Sequence, residues 1–256
     1  MSRAWQQLKQ EVTYWTQRDW SPGDTGAFFD QIAYEYDEIN EGAHSYFRRF
    51  TDTLRIGNLP DNAHLLDVQA RTGNGTATLW QHGKVRTAVC ADVSYEFGQI
   101  CQQRLHDLGF HDFRWVLLTD YQWPFADEAF DVVLSLESVE HFARPGAFIG
   151  ELGRVTRPGG TLILSTPNVL WEPIHALAAI TGLHHSEGPH RFVPYNMLRQ
   201  AISRAGFQVE HAETTVLIPA GPQWLLDWGE RLEDRTRHTL MPWLGLRRFF
   251  ICRKLP

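Results

Sequence analysis

The amino-acid sequence predicts an α/β protein built on a doubly wound, mostly parallel β-sheet. From Ala63 onward, short and almost continuously apolar segments alternate with segments of helical periodicity. Strands without an exposed polar face are typical of a parallel sheet covered by helices on both sides. Strand-helix alternation also implies right-handed crossovers. The last two apolar segments are separated by a long helical stretch, so we expect them to add an antiparallel edge strand.

Residues 1–58 are predicted to form an N-terminal helical lid. The segment SPGD, residues 21–24, is interpreted as a breaker between a first helix and later helices over residues 26–40 and 44–55. The last of these helices would end at Gly57. The first helix has an apolar face formed by Trp5, Leu8, Val12 and Trp15.

Residues 59–256 are predicted to form the sheet and its covering helices. Two further helical insertions are expected, at residues 169–206 and 220–240. The predicted strands are HLLDV (64–68), RTAVCADV (86–93), FRWVLLTD (113–120), FDVVLSLE (130–137), GTLILSTP (160–167), FQVEHAETTVLI (207–218) and RRFFICRK (247–254).

Composition excludes several classes of protein. The net charge of -6 and the pI of about 6.0 argue against a general nucleic-acid binder. The three cysteines are far apart, which is typical of buried thiols in a reducing compartment. The first residues lack the apolar core of a signal peptide, and no run reaches the ~18 apolar residues of a membrane helix. We therefore expect a cytoplasmic protein without an integral membrane segment.

Acidic residues close three successive predicted strands. Asp67 begins the stretch DVQARTGNG after the first strand, and Asp92 and Asp120 close the second and third. Ligands of an open parallel sheet bind beyond the carboxyl ends of its strands. One such aspartate often only caps the next helix. Three of them beside a glycine-containing turn favour a nucleotide-cofactor site, with Asp92 about 20 residues past the turn, where an acid binds ribose hydroxyls.

Two longer motifs resemble the class I S-adenosylmethionine (SAM) dependent methyltransferases. WPFADEAFDVV (123–133) is similar to the family signature LPF-x-D-x-x-FD-x-V. ELGRVTRPGGTLIL (151–164) is similar to E-x-x-R-V-L-K-P-G-G. The resemblance covers roughly residues 60–256 and implies a Rossmann-like fold with SAM as the cofactor.

The resemblance also implies the residues that contact each part of SAM. Asp67, Gln69 and Gly73 would face the methionine part. Asp92 would hold the ribose, with Val93 against the adenine ring. The remaining adenine contacts implied by the family are Asp120, Tyr121 and Leu136.

The turn departs from the family pattern D-x-G-x-G-x-G, because only Gly73 is a glycine. Glycine permits positive φ and a close backbone approach. Gln69 is therefore expected either to adopt a β conformation or to push the ligand away. It is also a candidate hydrogen-bond donor to the SAM carboxylate. Arg71 adds length and charge to the same bend. Two interpretations follow: a turn that still binds SAM, or a degenerate, non-catalytic one.

Candidate residues on the acceptor side follow the fourth and fifth strands. His141 is the candidate general base for a hydroxyl acceptor, together with Glu137. The alternative for His141 is packing under the sheet. His184 and His185 are given no role. The full set of candidates is Glu137, Glu140, His141, Asn168 and His190.

A metal site is a further hypothesis. Glu137, Glu140 and His141 are spaced i, i+3, i+4 and would share one face of a helical turn. They resemble the E-x-x-E-H of ubiquinone-pathway O-methyltransferases and small-RNA 2′-O-methyltransferases. His190, in GPHRF, resembles the later histidine of those families. This ligand set suits Zn²⁺, Mn²⁺ or Fe²⁺. The default expectation is no metal, with these residues serving packing and pocket lining.

The resulting prediction is a SAM-dependent methyltransferase that acts on a small-molecule acceptor at a hydroxyl oxygen. The alternative is a weakly SAM-binding or non-catalytic relative that acts as a partner or scaffold. A dehydrogenase fits less well, because G-x-G-x-x-G is absent from the sequence.

Overall fold

The computed structural model describes residues 9, 12–14, 16, 17, 19–181 and 188–256. The predicted alternation of strands and helices is confirmed within these residues. The strands are β1 (Ala63–Val68), β2 (Val85–Asp92), β3 (Phe113–Leu117), β4 (Phe130–Leu136), β5 (Thr156–Pro167), β6 (Phe207–Thr215) and β7 (Arg247–Lys254). The helices from Pro22 onward are α1 (Pro22–Asp30), α2 (Tyr36–Glu41), α3 (His44–Ile56), α4 (Asn74–Gln81), α5 (Tyr95–Asp107), α6 (Pro145–Val155), α7 (Glu172–Thr181), α8 (Tyr195–Arg204), α9 (Gln223–Thr236) and α10 (Met241–Leu244).

The seven strands form one sheet in the order β3-β2-β1-β4-β5-β7-β6. The first five strands are parallel, with β1 between β2 and β4. The predicted antiparallel pairing of the last two strands is confirmed. β7 is antiparallel to both of its neighbours and lies between β5 and β6, which leaves β6 at the edge. The carboxyl ends of β1, β2 and β4 therefore meet at one side of the sheet.

Neighbouring residues of each central strand face opposite hydrophobic layers. In β1, Leu65 belongs to the core on one face and Leu66 to the core on the other. In β7, Phe249 and Phe250 divide in the same way. All four side chains are fully buried. This two-sided burial explains why the strands read as continuous apolar runs.

The N-terminal region begins differently from the prediction. Residues 21–24 do not break a helix; they start α1. Ser21 is the N-cap, Pro22 occupies the first turn, and the Ser21 and Asp24 side chains form a reciprocal capping box. The serine-proline-acid pattern carried this signal in the sequence. The predicted face of the first helix lies largely outside the described residues, as do His184 and His185.

Two further sequence predictions concern the cysteines and membrane-spanning helices. Cys90, Cys101 and Cys252 are free and buried, as expected from their spacing. Among the helices of the described residues, none combines the length and apolar character that crossing a bilayer requires.

Candidate cofactor and acceptor site

The turn that follows β1 retains the backbone shape of a glycine-rich turn, although only Gly73 of the three family glycines is present. Gln69 has φ +54°, Arg71 has φ +51° and Gly73 has φ +84°. Displacement of the ligand by Gln69 stays a prediction. The expectation that Gln69 adopts a β conformation is wrong, because its backbone takes the left-handed conformation that glycine favours. Each such non-glycine residue costs on the order of 1–3 kcal/mol. The surrounding structure therefore holds the turn in this shape.

The backbone amide of Arg71 donates to Asp92 Oδ2 at 2.8 Å. The amide of Ser94 donates to the other carboxylate oxygen at 2.9 Å. Asp92 is only 1% exposed, and burial raises the pKa of its carboxyl group to about 6. Asp92 thus lies at the predicted place and also stabilises the strained turn.

Asp67 lies at the end of β1, under the same turn. The Thr76 hydroxyl donates to Asp67 Oδ2 at 2.8 Å. Burial raises the pKa of the Asp67 carboxyl group to about 6, and the nearby carboxylate of Asp92 acts in the same direction. Asp67 therefore fastens α4 to β1 from its position beneath the predicted methionine site.

Buried polar atoms without partners mark the space above this turn. Gln69 is 5% exposed, and neither Nε2 nor Oε1 has a hydrogen-bond partner among the described residues. Nε of Arg49, also 5% exposed, is without a partner within the same part of the chain. Both side chains line a small space of about 20 Å³ with Asp67, Gly75 and Leu136. Unsatisfied buried groups of this kind cost ~1–3 kcal/mol each.

Arg49 was missed by sequence reasoning. It lies on α3, and its guanidinium packs 4.0 Å from the ring centroid of Tyr46. Its charge lowers the pKa of Asp67, against the effect of burial. The sequence signal was an arginine on an otherwise core-facing side of a helix, but only the fold brings it to the end of β1.

The predicted adenine contacts are placed separately. Val93 is buried because α1 packs on its backbone, where a Cβ built on Gly26 would lie 2.1 Å from the Val93 carbonyl oxygen. Asp120 is exposed after β3, and its Oδ1 accepts from the Tyr121 amide at 2.6 Å. Tyr121 Oη accepts from the Arg144 amide at 3.0 Å. Of the predicted adenine contacts, Val93 is therefore covered by α1, whereas Asp120 is exposed to solvent.

A central cavity of about 630 Å³ lies between the N-terminal helices and the ends of β4 and β5. Its walls include the predicted residues Glu137, Glu140 and His141. Arg71 reaches the same cavity from the β1 turn, and Arg247 reaches it from β7. The structure therefore joins the predicted acceptor residues to the turn of the cofactor site.

The predicted helical face for Glu137, Glu140 and His141 is wrong. Only residues 139–141 form a short 3₁₀ turn, and Glu137 precedes it with φ +53°. The Glu137 carboxylate instead lies 3.0 Å from Arg247 Nε. Glu140 Oε2 accepts from the Thr166 hydroxyl at 3.0 Å. The three side chains line the same cavity, but each is held in place by different neighbouring residues.

The other acceptor candidates differ in availability. The Asn168 amide donates to the carbonyl oxygens of Trp243 and Gly245 at 2.7 and 3.0 Å, so it fastens the α10 region. The His190 ring centroid lies 6.2 Å from that of His141. His190 Nδ1 lies 2.8 Å from the Gly188 carbonyl oxygen. His190 is thus beside the cavity, whereas the Asn168 side chain is engaged elsewhere.

No cluster of three or more potential metal ligands is found when the search is restricted to the part of the chain that the structure describes. The metal hypothesis for Glu137, Glu140, His141 and His190 stays a prediction.

Comparisons with known proteins define the class. Residues 66–164 match the family described as "Methyltransferase domain". The demethylmenaquinone methyltransferase of Beutenbergia cavernae is 34% identical over 169 residues, covering 63% of this chain and 65% of the relative. The ubiquinone/menaquinone biosynthesis C-methyltransferase of Hahella chejuensis is 30% identical over 145 residues, covering 53% and 56%. This chain spans slightly less than two thirds of the length of these curated relatives.

A solved structure supports the fold. The [4+2]-cyclase SpnF superposes with a TM-score of 0.69 at 17% identity, over 92% of this chain and 96% of that chain. These comparisons bear out the resemblance to methyltransferases, and the Rossmann-like fold is confirmed. The Hahella relative is named for ubiquinone and menaquinone biosynthesis but as a C-methyltransferase, whereas the sequence motif resembles ubiquinone-pathway O-methyltransferases.

We expect Gln69→Gly to stabilise the cofactor-free protein by about 1 kcal/mol. The change removes left-handed strain and two unsatisfied polar atoms, and the entropy of an added glycine offsets part of this gain. Thermal unfolding without cofactor measures the effect. The same variant should bind SAM more weakly, if Gln69 donates to the SAM carboxylate. Equal or tighter SAM binding in calorimetry would exclude that role.

Proposed function

We propose that this protein transfers the methyl group of SAM to a hydroxyl oxygen of a small-molecule acceptor. One observation carries the proposal: buried polar atoms of Gln69 and Arg49, which lack hydrogen-bond partners among the described residues, lie at the turn where the family binds the methionine part of SAM. A carboxylate can accept from both side chains. An amino group can donate to Gln69 Oε1. The residues present therefore fit an amino-acid moiety.

The remaining contacts follow the family pattern. Asp92 would accept from the ribose hydroxyls, and Asp120 from the adenine amino group. Val93, Tyr121 and Leu136 would pack on the adenine ring. α1 packs closely on the backbone of Val93 at Gly26, so this helix covers the Val93 side of the proposed site. SAM supplies an activated methyl group, so the protein's contribution is alignment and control of the acceptor proton.

His141 is proposed to take the acceptor proton, because its buried ring lines the central cavity. The role proposed for Glu137 is to neutralise the positive charge of Arg247 in the cavity. Its carboxylate is held by an ion pair with Arg247. When bound, SAM would supply the electrophilic methyl group, and the acceptor oxygen would be freed for transfer by loss of its proton to His141.

Titration with SAM and, separately, with NAD tests the class of function. We expect calorimetry to show SAM binding and no NAD binding, and labelled SAM to pass its methyl group to an acceptor. NAD binding would support the dehydrogenase alternative. Failure to bind either cofactor would support a non-catalytic partner. Product analysis then decides between oxygen and carbon. Carbon is the second candidate because the Hahella relative is a C-methyltransferase.

We expect methyl transfer to survive exhaustive chelation. The Glu137 carboxylate is occupied by Arg247, and Glu140 accepts from Thr166, so both acids already have partners. The Glu140→Gln variant keeps the shape and an acceptor oxygen while removing the charge, and it should retain activity. Loss of activity on chelation, restored by added Zn²⁺ or Mn²⁺, would instead establish the metal site.

A further inference from the structure

Arg71 occupies a position where the family motif has glycine, and its side chain enters the central cavity. Nη2 donates to the carbonyl oxygen of Glu137 at 2.8 Å and lies 3.4 Å from His141 Nε2. Nη1 donates to the Tyr36 hydroxyl. The guanidinium carbon lies 5.1 Å from the ring centroid of Phe29. A cation from the cofactor turn is therefore placed directly beside the proposed proton acceptor.

The positive charge of Arg71 lowers the pKa of the nearby Asp92 carboxyl group, against the larger effect of burial. Within the described ranges, its guanidinium forms no ion pair with an acid, whereas Arg247 in the same cavity is paired with Glu137. The Asp92 carboxylate accepts the Arg71 backbone amide. A guanidinium stays charged at any ordinary pH. A partly buried cation with neutral partners is best stabilised by an anion.

Methyl transfer adds a second reason. The sulfonium of SAM is positive, so a free cation in the adjoining cavity would repel it at close range. An anionic acceptor removes this repulsion and is also the better nucleophile. The other cavity walls include Phe29, Trp171, Ile174 and Leu246. They suit a ring-sized apolar frame.

We infer that the acceptor is an organic acid: an apolar ring that carries a carboxylate or an ionised hydroxyl, bound by the guanidinium of Arg71. The inference rests on the proposed function and specifies its substrate class. With an ionised hydroxyl, the same contact lowers the pKa of the acceptor oxygen and holds it beside His141. With a carboxylate, Arg71 orients the ring while a separate hydroxyl reacts.

The test compares acids with neutral molecules of the same shape. The probes are 2-naphthoate with 2-naphthamide, and 4-nitrophenolate with 4-nitroanisole, each titrated calorimetrically with and without saturating S-adenosylhomocysteine. The wild type should bind at least one acid about tenfold more tightly than its neutral partner. The first pair reports a carboxylate site and the second an ionised hydroxyl.

Arg71→Gln should abolish this preference, and Arg71→Lys should keep part of it. Arg204→Gln, a change of an exposed arginine on α8, should leave it unchanged. A role of Arg71 confined to fastening Tyr36 would weaken acid and neutral probes alike. Equal binding of the members of both pairs by the wild type would overturn the inference, as would no binding of any probe or a preference that persists in Arg71→Gln.

Cofactor binding is measured separately, so the two proposals fail in distinguishable ways. Acid preference without binding of SAM or S-adenosylhomocysteine would refute the proposed function and retain an anion site. Cofactor binding without a preference for acids would retain the proposed function and refute the anion site. If Arg71→Gln does not fold by circular dichroism, Arg71→Lys decides, because it must then show a reduced acid preference.

Discussion

Asp92→Ala should weaken SAM binding by at least about tenfold. A carboxylate that accepts from both ribose hydroxyls makes charge-assisted hydrogen bonds of ~1.5–3 kcal/mol each, and 1.4 kcal/mol corresponds to a factor of ten. The variant also removes the acceptor for the amides of Arg71 and Ser94, which loosens the turn. Calorimetric titration with SAM measures the loss, and circular dichroism checks the fold.

Asp92→Asn is the matched control, because it keeps the shape and one acceptor oxygen but removes the charge. It should bind SAM with an affinity between those of the wild type and the alanine variant. Wild-type affinity in a folded Asp92→Ala protein would show that the ribose assignment is wrong.

The pH dependence of binding provides an independent readout. Burial raises the pKa of Asp92 to about 6. Below that pH the free protein holds a proton that must leave before the carboxylate can accept from ribose. SAM affinity should therefore fall as the pH drops through about 6, and this dependence should be weaker in Asp92→Asn, where Asp67, whose pKa is also about 6, is left as the titrating carboxyl group.

The effect on folding has the opposite sign. A folded-state pKa above the ordinary aspartate value of 3.8 means that the folded protein binds this proton more tightly than the unfolded chain. The Asp92 contribution to the free energy of unfolding therefore increases as the pH falls from about 6 toward about 4. The difference in thermal stability between wild type and Asp92→Asn should change with this sign. A difference independent of pH would contradict the assigned burial of the charge.

Gly26→Ala is expected to destabilise the protein by about 1–3 kcal/mol. A Cβ at this position would lie 2.1 Å from the carbonyl oxygen of Val93. A backbone atom cannot rotate away from this clash as a flexible side chain can. α1 must then move away from the end of β2. This movement would break the contact of Ser94 Oγ with Asp30, now 2.6 Å long. The melting temperature should fall by several degrees, and amide exchange should increase in α1.

Gly23→Ala is the control within the same helix. The nearest atom to its added Cβ is Ser21 Oγ at 3.6 Å, an ordinary contact. Alanine in place of a helical glycine should be neutral or stabilising by up to ~1 kcal/mol. Equal melting temperatures for the two alanine variants would show that α1 is not packed tightly on Val93.

The sequence by itself determined the secondary structure of the sheet region and the class of the domain. Continuous apolar runs predicted the central strands β1, β2, β4 and β5, since burial on both faces leaves no polar alternation to obscure them. The motifs over residues 123–133 and 151–164 then indicated the methyltransferase class. The acids at Asp67, Asp92 and Asp120 could be placed beyond the strands because parallel strands end on the same side.

The tertiary structure decided the conformation of the β1 turn and the charge of the cavity. Local preference argues against positive φ at Gln69 and Arg71, but the contact of the Arg71 amide with buried Asp92 helps to hold the turn in that conformation. Arg49 and Arg247 reach the site from α3 and β7, which are distant in sequence. Periodicity reports only whether a residue is buried. Long-range packing decides which charged residues are brought together. The pattern of neighbouring residues along the chain carries no information about these contacts.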